Sequence, residues 1–126
     1  MSLASNAPEL APFQLPEAAT TADVLAKYFR AFADPTRLRI LDLVSEAERS
    51  VGELVAATGQ SQPKVSNHLA CLRWCGLVVA RREHRRVYYS IADPRVPELL
   101  ELARGLLAGN AEHVSCCTVL QNERAR

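Results

Sequence analysis

The sequence lacks an apolar run long enough to cross a bilayer, and it does not begin with a charged segment followed by an apolar one. We therefore expect a cytoplasmic protein that makes no contact with a membrane. The sequence also contains no glycine-rich phosphate loop, no pair of carboxylates in an apolar setting, and no nucleophile with a base at a recognisable spacing. Together these absences indicate a protein that is not an enzyme.

Cysteine is scarce, with four residues in a chain of 126. In the absence of a secretory signal, this number argues against a disulfide framework and favours metal binding or redox chemistry. The composition, 48% hydrophobic and 23% charged, is that of one globular domain. A core of this size is small, so that oligomerisation would help to stabilise it.

The net charge is also small, at +1, but it is unevenly distributed. Residues 61–91 carry a net charge of +5, whereas residues 1–60 carry −3 and residues 92–126 carry −1. A basic region on a mildly acidic body is typical of a nucleic-acid-binding protein, although solvated surfaces show the same clustering.

The segment of residues 61–76 predicts a helix with a DNA-reading face. Ser61 is a suitable N-cap, Pro63 fits the first turn, and Gly76 ends the helix. One narrow apolar stripe is expected to face the core, while the rest of the surface is short and polar, as contacts with phosphates and base edges require. The residues of this segment that we expect at the DNA are Ser61, Gln62, Lys64, Ser66, Asn67 and His68, the last of which is alternatively a structural residue at the edge of the stripe.

Three further helices are predicted ahead of this one. The first begins near Thr21 and has a wide apolar face, the second begins at Pro35, and the third extends from its N-cap Ser50 to Gly59. Because the third helix and the DNA-reading helix are joined by a tight turn that contains glycine, the two predict a helix-turn-helix.

After the DNA-reading helix the apolar pattern changes from helical to alternating. Residues 77–80 and 87–91 predict the strands of a hairpin, or wing, with a basic tip. A last helix is predicted from residues 93–94 to about Gly109, and its apolar side is broader than a monomer needs, so we expect it to pair with the first helix of a second chain. The wing residues that we expect at the DNA are Arg81, Arg82, Arg85 and Arg86.

The expected fold class is α+β and mostly helical, a winged helix-turn-helix with a two-stranded β-hairpin wing that dimerises through its first and last helices. The predicted divisions are a flexible N-terminal arm at residues 1–20, a DNA-binding and dimerisation domain at residues 21–109, and a cysteine-containing tail at residues 110–126.

Two pairs of cysteines are candidate metal ligands. Cys71 and Cys75 are spaced i, i+4 on the DNA-reading helix, with Cβ atoms roughly 6 Å apart, and the tail contains Cys116 and Cys117. Thiolates favour soft ions such as Cd(II), Pb(II), Zn(II) or As(III), but two thiolates do not complete the coordination shell. A flexible tail that spans up to about 24 Å can supply the missing ligands to its own chain or to a partner. Alternatively, Cys71 and Cys75 are buried as small hydrophobic residues.

Four segments carry a family resemblance: ADPTRLRIL at residues 33–41, SVGEL at 50–54, SQPKVSNHLACLR at 61–73 and VYYSI at 87–91. Together they resemble the ArsR/SmtB family of dimeric winged-helix repressors, which release DNA when they bind metal ions. The resemblance extends over about residues 21–108. It implies a homodimer that binds an inverted repeat in double-stranded operator DNA and represses a metal-efflux or detoxification operon.

Two of the metal sites found in this family are missing from the sequence. Ser50 and Gly52 stand where many members have a cysteine pair at the start of the third helix. In the last helix Asp93 matches a family ligand, but its usual partners are replaced by Arg95, Leu106 and Gly109. The wing also departs from the family pattern, because His84 stands where the turn glycine is usual.

The segment NHLACLRWCG is instead similar to the cadmium- and lead-sensing CmtR-like branch of the family, in which a tail cysteine of the other subunit completes the site. This resemblance implies Cd(II) or Pb(II) as the inducer, with As(III) second. The implied ligands are Cys71 and Cys75 together with Cys116, Cys117 or both.

A second interpretation is a thiol/disulfide redox sensor on the same fold. Cys71 and Cys75 lie near the range at which a disulfide forms with some distortion of the backbone. The two interpretations differ in whether DNA release needs an oxidant or a metal ion in reducing buffer.

Overall fold

The structure, a computed structural model, describes residues 20–120. The predicted N-terminal arm, apart from Thr20, and residues 121–126 of the tail therefore lie outside the described residues. Within residues 20–120 the elements, in chain order, are α1 (Thr21–Arg30), α2 (Pro35–Glu46), β1 (Arg49–Ser50), α3 (Val51–Thr58), α4 (Gln62–Trp74), β2 (Val78–Glu83), β3 (Arg86–Ile91), α5 (Arg95–Leu107) and α6 (Ala111–Ser115). None of these helices is long and apolar enough to cross a membrane.

Side-chain caps and glycines define the ends of the helices. In each of α1 to α4 the N-cap side chain accepts a hydrogen bond from the backbone N–H three residues later, which satisfies one of the donors left free at a helix start. The C-terminal signals are Gly59 after α3 and Gly76 after α4, with φ of 72° and 79°, a left-handed conformation that only glycine adopts without steric cost. These ends agree with the sequence-based predictions. The four N-caps are Thr20, Asp34, Ser50 and Ser61.

The predicted hairpin is confirmed, and its strands are longer than expected. β2 pairs with β3 in an antiparallel register from Val78 opposite Ile91 to Glu83 opposite Arg86. Arg81 and Arg82 therefore lie within a strand and not at the tip, where the sequence-based prediction had placed them. Long charged side chains are compatible with a strand whose outer half is exposed.

The turn of the hairpin falls at His84, where the family resemblance places it, whereas the third strand of the sheet was not predicted. His84 has a φ of 60°, the left-handed conformation that a two-residue hairpin turn requires and that glycine would adopt at lower cost. The two residues of β1 pair with β3, which gives a three-stranded sheet of order β1-β3-β2. This strand joins the sheet to the start of α3, where Ser50 both pairs with Tyr88 and caps the helix.

The core lies between α2, α3, α4 and the start of the sheet. The predicted apolar stripe of α4 is confirmed, because Val65, Leu69 and Leu72 point inward and are at most 1% exposed. Burial of a side chain of this size contributes roughly 1.5–3 kcal/mol, so α4 is held firmly on the rest of the domain. The fully buried side chains are Ile40, Leu41, Leu54, Val65, Leu69, Leu72, Leu77 and Val78.

The first and last long helices keep large apolar side chains at the surface of the single chain. On α1, Leu25 and Phe29 are about half exposed, and on α5, Leu102 and Leu106 are 67% and 81% exposed. Leu102 and Leu106 also line an open apolar groove along α5. This is the apolar surface that was expected to pair with a second chain.

The start of the tail is helical, which corrects the expectation of a flexible segment between Gly109 and Cys116. Residues of α6 repeat the i to i−4 pattern, with Val114 N–H donating to the Asn110 carbonyl at 3.1 Å and Cys116 N–H donating to the Glu112 carbonyl at 3.2 Å. A helix advances only about 1.5 Å per residue. The tail cysteines therefore reach a shorter distance than an extended linker allows.

Candidate nucleic-acid interface and cysteine site

The outward side of α4 forms the first part of the candidate interface. Gln62, Lys64, Ser66 and Asn67 are all exposed, on the side of the helix away from its buried stripe. Ser61 is exposed as well, but its hydroxyl accepts the N–H of Lys64 at 3.3 Å and so caps the helix. These amides, hydroxyls and the ammonium group are the donors and acceptors with which a helix contacts base edges and phosphates.

His68 is placed differently from the other α4 residues predicted at the DNA. Its side chain is only 14% exposed, and Nε2 lies 3.6 Å from the carboxylate of Asp34. Its Nδ1 lies 3.2 Å from a guanidinium nitrogen of Arg37. The ring therefore joins α4 to the start of α2, which matches the structural alternative considered for this residue.

Arg37, which sequence reasoning missed, connects three helices at this point. Its Nε donates to the Ala31 carbonyl at 2.8 Å and its Nη2 to the Arg30 carbonyl at 2.9 Å, so it satisfies the C-terminal end of α1. A third nitrogen reaches His68 on α4. The contact between Arg37 and His68 spans 31 residues of sequence, a separation at which no local pattern predicts a pair.

The four arginines of the wing divide into two groups. Arg81 forms a two-point ion pair with Glu48, at 2.8 and 3.0 Å, and contacts Glu83 at 2.8 Å. The hydrogen bonds to Glu48 and then Glu83 raise the pKa of Arg81 further above its ordinary value. By contrast, the other three are exposed and form no ion pair with any residue between 20 and 120; they are Arg82, Arg85 and Arg86.

Arg85 and Arg86 lie close to α4. Together with Gln62 they line a cleft between the wing and the start of α3. The structure thus brings free guanidinium groups of the wing beside the N-terminal end of the polar face of α4. A continuous surface of this kind suits a duplex whose major groove receives α4 and whose flanking phosphates meet the wing.

Cys71 lies on the flank of α4 and Cys75 is its C-cap, and both are partly buried against the core. Burial raises the pKa of the Cys75 thiol, and the neighbouring Cys71 thiol raises it further, while the charges of Arg37 and Lys27 oppose the shift. Both thiols are free. Two thiols one helical turn apart can hold a soft ion from one side, which is the chemistry expected from the sequence.

Two residues of α1 lie near enough to Cys75 for their charges to interact. Burial and then the charge of Cys75 raise the pKa of the Tyr28 phenol, and the charge of Lys27 opposes the rise in the pKa of Cys75. The thiol pair is therefore on the side of α4 that is nearer to α1, which carries part of the exposed apolar surface.

The tail cysteines stand apart from the α4 pair in the single chain. Cys116 is exposed and Cys117 is partly buried, and both are free. Among residues 20–120 no group of three or more histidine, cysteine, aspartate or glutamate side chains is placed to hold a metal ion. One chain in this conformation thus provides two thiolates at α4 and two in the tail, without joining them.

Taken together, α3, α4 and the wing define a winged-helix DNA-binding protein. A family description reading "Bacterial regulatory protein, arsR family" matches residues 34–79. The chain is 49% identical over 104 residues to a probable mercury resistance operon repressor of Streptomyces lividans, with 82% of this chain and 83% of that protein covered. The chain therefore belongs to the ArsR family of transcriptional repressors and is not an enzyme, as the sequence motifs had indicated.

Two further relatives bear on the branch of the family and on assembly. The chain is 48% identical over 85 residues to the HTH-type transcriptional regulator CmtR of Mycobacterium bovis, with 67% of this chain and 72% of that protein covered. A solution structure of a homodimeric winged helix-turn-helix DNA-binding domain, Mb0332 of Mycobacterium bovis, matches with a TM-score of 0.67 and 37% identity. That match covers 82% of this chain and 95% of that one.

Proposed function

We propose that this protein is a metal-responsive repressor that binds operator DNA as a homodimer and releases it when a thiophilic ion binds to cysteine thiolates. The proposed ligands are Cys71 and Cys75 with Cys116, Cys117 or both. One observation carries the proposal: Cys71 lies on α4 and Cys75 is its C-cap, and the same helix presents the exposed polar face with Gln62. An ion that changes the pose of this helix changes its fit in the groove.

The DNA half of the proposal is supported by the side chains that α4 and the wing expose. The amides of Gln62 and Asn67 can pair bidentately with adenine in the major groove, which supplies base preference. The guanidinium groups of Arg82, Arg85 and Arg86 suit the flanking phosphates, which supply affinity without base preference. A symmetric dimer presents two such surfaces, and the expected operator is an imperfect inverted repeat.

The dimer is supported by the apolar side chains that α1 and α5 leave at the surface. A small domain rarely exposes such large side chains side by side unless another chain covers them. The winged-helix domain of Mycobacterium bovis, which is similar in fold, is homodimeric. We expect a dimer that persists without metal, and sedimentation of a monomer at micromolar concentration in reducing buffer would contradict it.

The donor set fits a soft ion, but one chain leaves the set incomplete. Cys71 and Cys75 provide two thiolates, and the described residues of the same chain place no third ligand beside them. The tail cysteines are the remaining thiols, and α6 limits how far they reach from α5. We therefore assign the completion of the site to the tail of the partner subunit.

The inducer is a soft ion that thiolates select over hard ions. Cd(II) or Pb(II) is the first choice, because the α4 cysteines resemble those of the CmtR-like branch, and As(III) is the second. Hg(II) joins these candidates because a relative at 49% identity is named as a mercury resistance repressor. The candidate ions differ in the number of thiolates that they require. Cys71 and Cys75 supply two, and any further thiolates come from the tail.

Thiolate-to-metal charge-transfer absorption tests the ligand set. Each candidate ion is titrated into the wild-type protein and the single variants Cys71→Ser, Cys75→Ser, Cys116→Ser and Cys117→Ser, and operator release is measured in parallel. We expect the two α4 variants to lose both the absorption and the release, and at least one tail variant to weaken both. Intact absorption and release in Cys71→Ser and Cys75→Ser would show that the site is elsewhere.

A mixed dimer tests whether the ligands come from two subunits. Protomers with serine at both α4 cysteines are combined with protomers with serine at both tail cysteines. If the site joins two subunits, this heterodimer contains one complete site and regains charge-transfer absorption, whereas neither homodimer does. If each chain binds the ion alone, the heterodimer has no complete site and does not regain charge-transfer absorption.

The second candidate function, a thiol/disulfide switch, rests on the adjacency of Cys71 and Cys75. The raised pKa of Cys75 counts against this thiol as the attacking group, because redox-sensing cysteines are activated by a lowered pKa. Operator release by a metal ion under strictly reducing conditions excludes the switch, while release that requires an oxidant supports it.

A further inference from the structure

Trp74, the last residue of α4, is unlike the other large apolar side chains of the domain. It is the one tryptophan of the chain and is 91% exposed. Exposing a tryptophan side chain to water is unfavourable, because its ring is a large apolar surface. Unlike Leu102 and Leu106, it is not on the helices that carry the apolar face expected at the dimer interface.

The position of Trp74 on α4 places it in line with the DNA-reading residues. It follows Asn67 by seven residues, and seven residues of an α-helix rotate by two full turns minus about 20°. It is therefore on the same exposed line as Asn67, on the opposite side of the helix from Val65 and Leu72. The distance between the two positions along the axis is about 10.5 Å.

A recognition helix contacts base edges mainly with its N-terminal residues. Asn67 is in the first half of α4 and Trp74 is at its end. A side chain that lies about 10.5 Å beyond Asn67 on the same line is therefore expected at the sugar-phosphate backbone and not at a base edge. The indole N–H can only donate a hydrogen bond and phosphate oxygens accept one, so the two groups are complementary.

The surroundings of Trp74 agree with a backbone contact. Arg73 is exposed and forms no ion pair with a residue that the structure describes, so its guanidinium is free for a phosphate. Trp74 and Arg73 border a cleft between α4 and β3 that also includes Ser66, a residue of the polar face. The surface around Trp74 is thus continuous with the candidate DNA interface.

We propose that Trp74 is a DNA-contacting residue, whose indole N–H binds a backbone phosphate and whose ring packs on the adjoining deoxyribose, beside a phosphate contact from Arg73. This inference rests on the DNA-binding part of the proposed function and is independent of the metal site. Trp74 then contributes to affinity for every sequence, in contrast to Asn67, which contributes to base preference.

Fluorescence quenching tests the contact directly, because the single tryptophan is its own probe. Acrylamide quenching is measured for the full chain alone and saturated with operator duplex. We expect strong quenching in the free dimer and at least a twofold lower quenching constant in the complex. An unchanged constant in the saturated complex would overturn the proposal, and so would protection that is already complete without DNA, since a second copy of the chain would then cover Trp74.

Four variants separate the contact from a merely structural role. Trp74→Ala should weaken binding to operator and to scrambled duplex alike, by about tenfold for one indole hydrogen bond in each half of the dimer, with an unchanged salt dependence because the indole is neutral. Trp74→Phe should recover part of that affinity, since it retains a ring and lacks the N–H. Arg73→Gln should lower the salt slope by about one for each phosphate that it neutralises, and Asn67→Ala should reduce the preference for operator over scrambled duplex.

The outcomes also separate this inference from the proposed function. If the wild-type protein binds operator and scrambled duplex equally, the proposed function fails. If it prefers operator while Trp74→Ala binds as the wild type does, with an unchanged melting temperature, only the Trp74 contact is refuted. Selective loss of operator preference in Trp74→Ala would also refute it, because the residue would then contact a base.

Discussion

On α4 the apolar side chains Leu69 and Leu72 are at most 1% exposed, whereas on α5 Leu102 and Leu106 are 67% and 81% exposed. The first helix belongs to the reading head, here defined as α3, α4 and the β2-β3 wing. The second belongs to the proposed dimerisation face, defined as the exposed apolar sides of α1 and α5. Both helices have thirteen residues, so length does not account for the difference.

The two regions differ in how much of each is completed by a single chain. Within one chain the reading head buries the apolar stripe of α4 and caps the starts of its helices, although Trp74 and Val79 stay exposed. The dimerisation face leaves its apolar residues uncovered, and the cysteine site beside it has only two of its proposed ligands in place. Under the proposed function, such a repressor reads DNA with parts that one chain completes and senses its inducer with parts from two chains.

The largest expected effect comes from one substitution in each region. Leu72→Ala removes a fully buried side chain of the reading head and should lower the free energy of unfolding by about 2–5 kcal/mol. Leu106→Ala removes a side chain of similar size from the surface, so that it should leave the fold intact and weaken the dimer. Urea denaturation measures the first effect and sedimentation at several concentrations the second. Equal losses of unfolding free energy in the two variants would contradict the comparison.

A smaller effect is expected at Asp34, where the regions join. Burial alone would raise the pKa of its carboxyl, but the hydrogen bond from the Arg37 N–H and the charges of His68 and Arg37 outweigh burial, so the pKa lies below its ordinary 3.8. Because the folded pKa is lowered, the stabilisation is present above the unfolded pKa and is lost as pH falls through the folded value. Asp34→Ala should cost about 1 kcal/mol of unfolding free energy at neutral pH through loss of the N-cap.

Asp34→Asn is the matched control, since asparagine still caps the helix but has no charge for His68. We expect it to lose less stability than Asp34→Ala at neutral pH and to show a weaker dependence on pH below about 4. Urea denaturation at fixed protein concentration, from pH 7 to pH 3, measures both. If the free energies of unfolding of the wild type and Asp34→Asn change in parallel over this range, the Asp34 carboxylate does not stabilise the contact with His68.

The smallest effect is expected within the wing. Arg86→Gln should reduce the salt slope of DNA binding by about 0.9 for each phosphate that is no longer neutralised, because the guanidinium of Arg86 is free. Arg81→Gln should change the slope less, because Glu48 and Glu83 already neutralise this side chain. Binding isotherms at several salt concentrations decide the matter. A larger slope change for Arg81→Gln would mean that its ion pairs open on DNA.

The parts of the fold that sequence reasoning predicted are those with local signals. Ser61, Pro63 and Gly76 define the limits of α4 through capping and backbone geometry, which act within a few residues. The apolar period of α4 likewise predicted its buried side. A helix of this kind can be read from its own residues because its neighbours only confirm what the local preferences already favour.

The parts that were missed depend on partners distant in the sequence. The two residues of β1 are too few to show an alternating pattern, and they form a strand only because β3 lies beside them. The ion pair of Arg81 with Glu48 and the contact of Arg37 with His68 likewise depend on the folded chain. For the cysteine site, residue types and helical spacing predicted the α4 pair as candidate ligands, while the helical start of the tail follows from hydrogen bonds that the sequence did not reveal.

Under the proposed function, the placement of Cys71 on the helix that carries Asn67, with Cys75 as its C-cap, has a thermodynamic consequence for the repressor in a cell. By linkage, an ion that lowers operator affinity by a given factor must itself be bound more weakly, by the same factor, by the repressor on its operator. Dimers free in solution would then take up the ion before those on DNA. The ion concentration that induces transcription would therefore rise with the number of repressor copies. The abundance of the protein would thus help to determine how sensitive induction is to the ion.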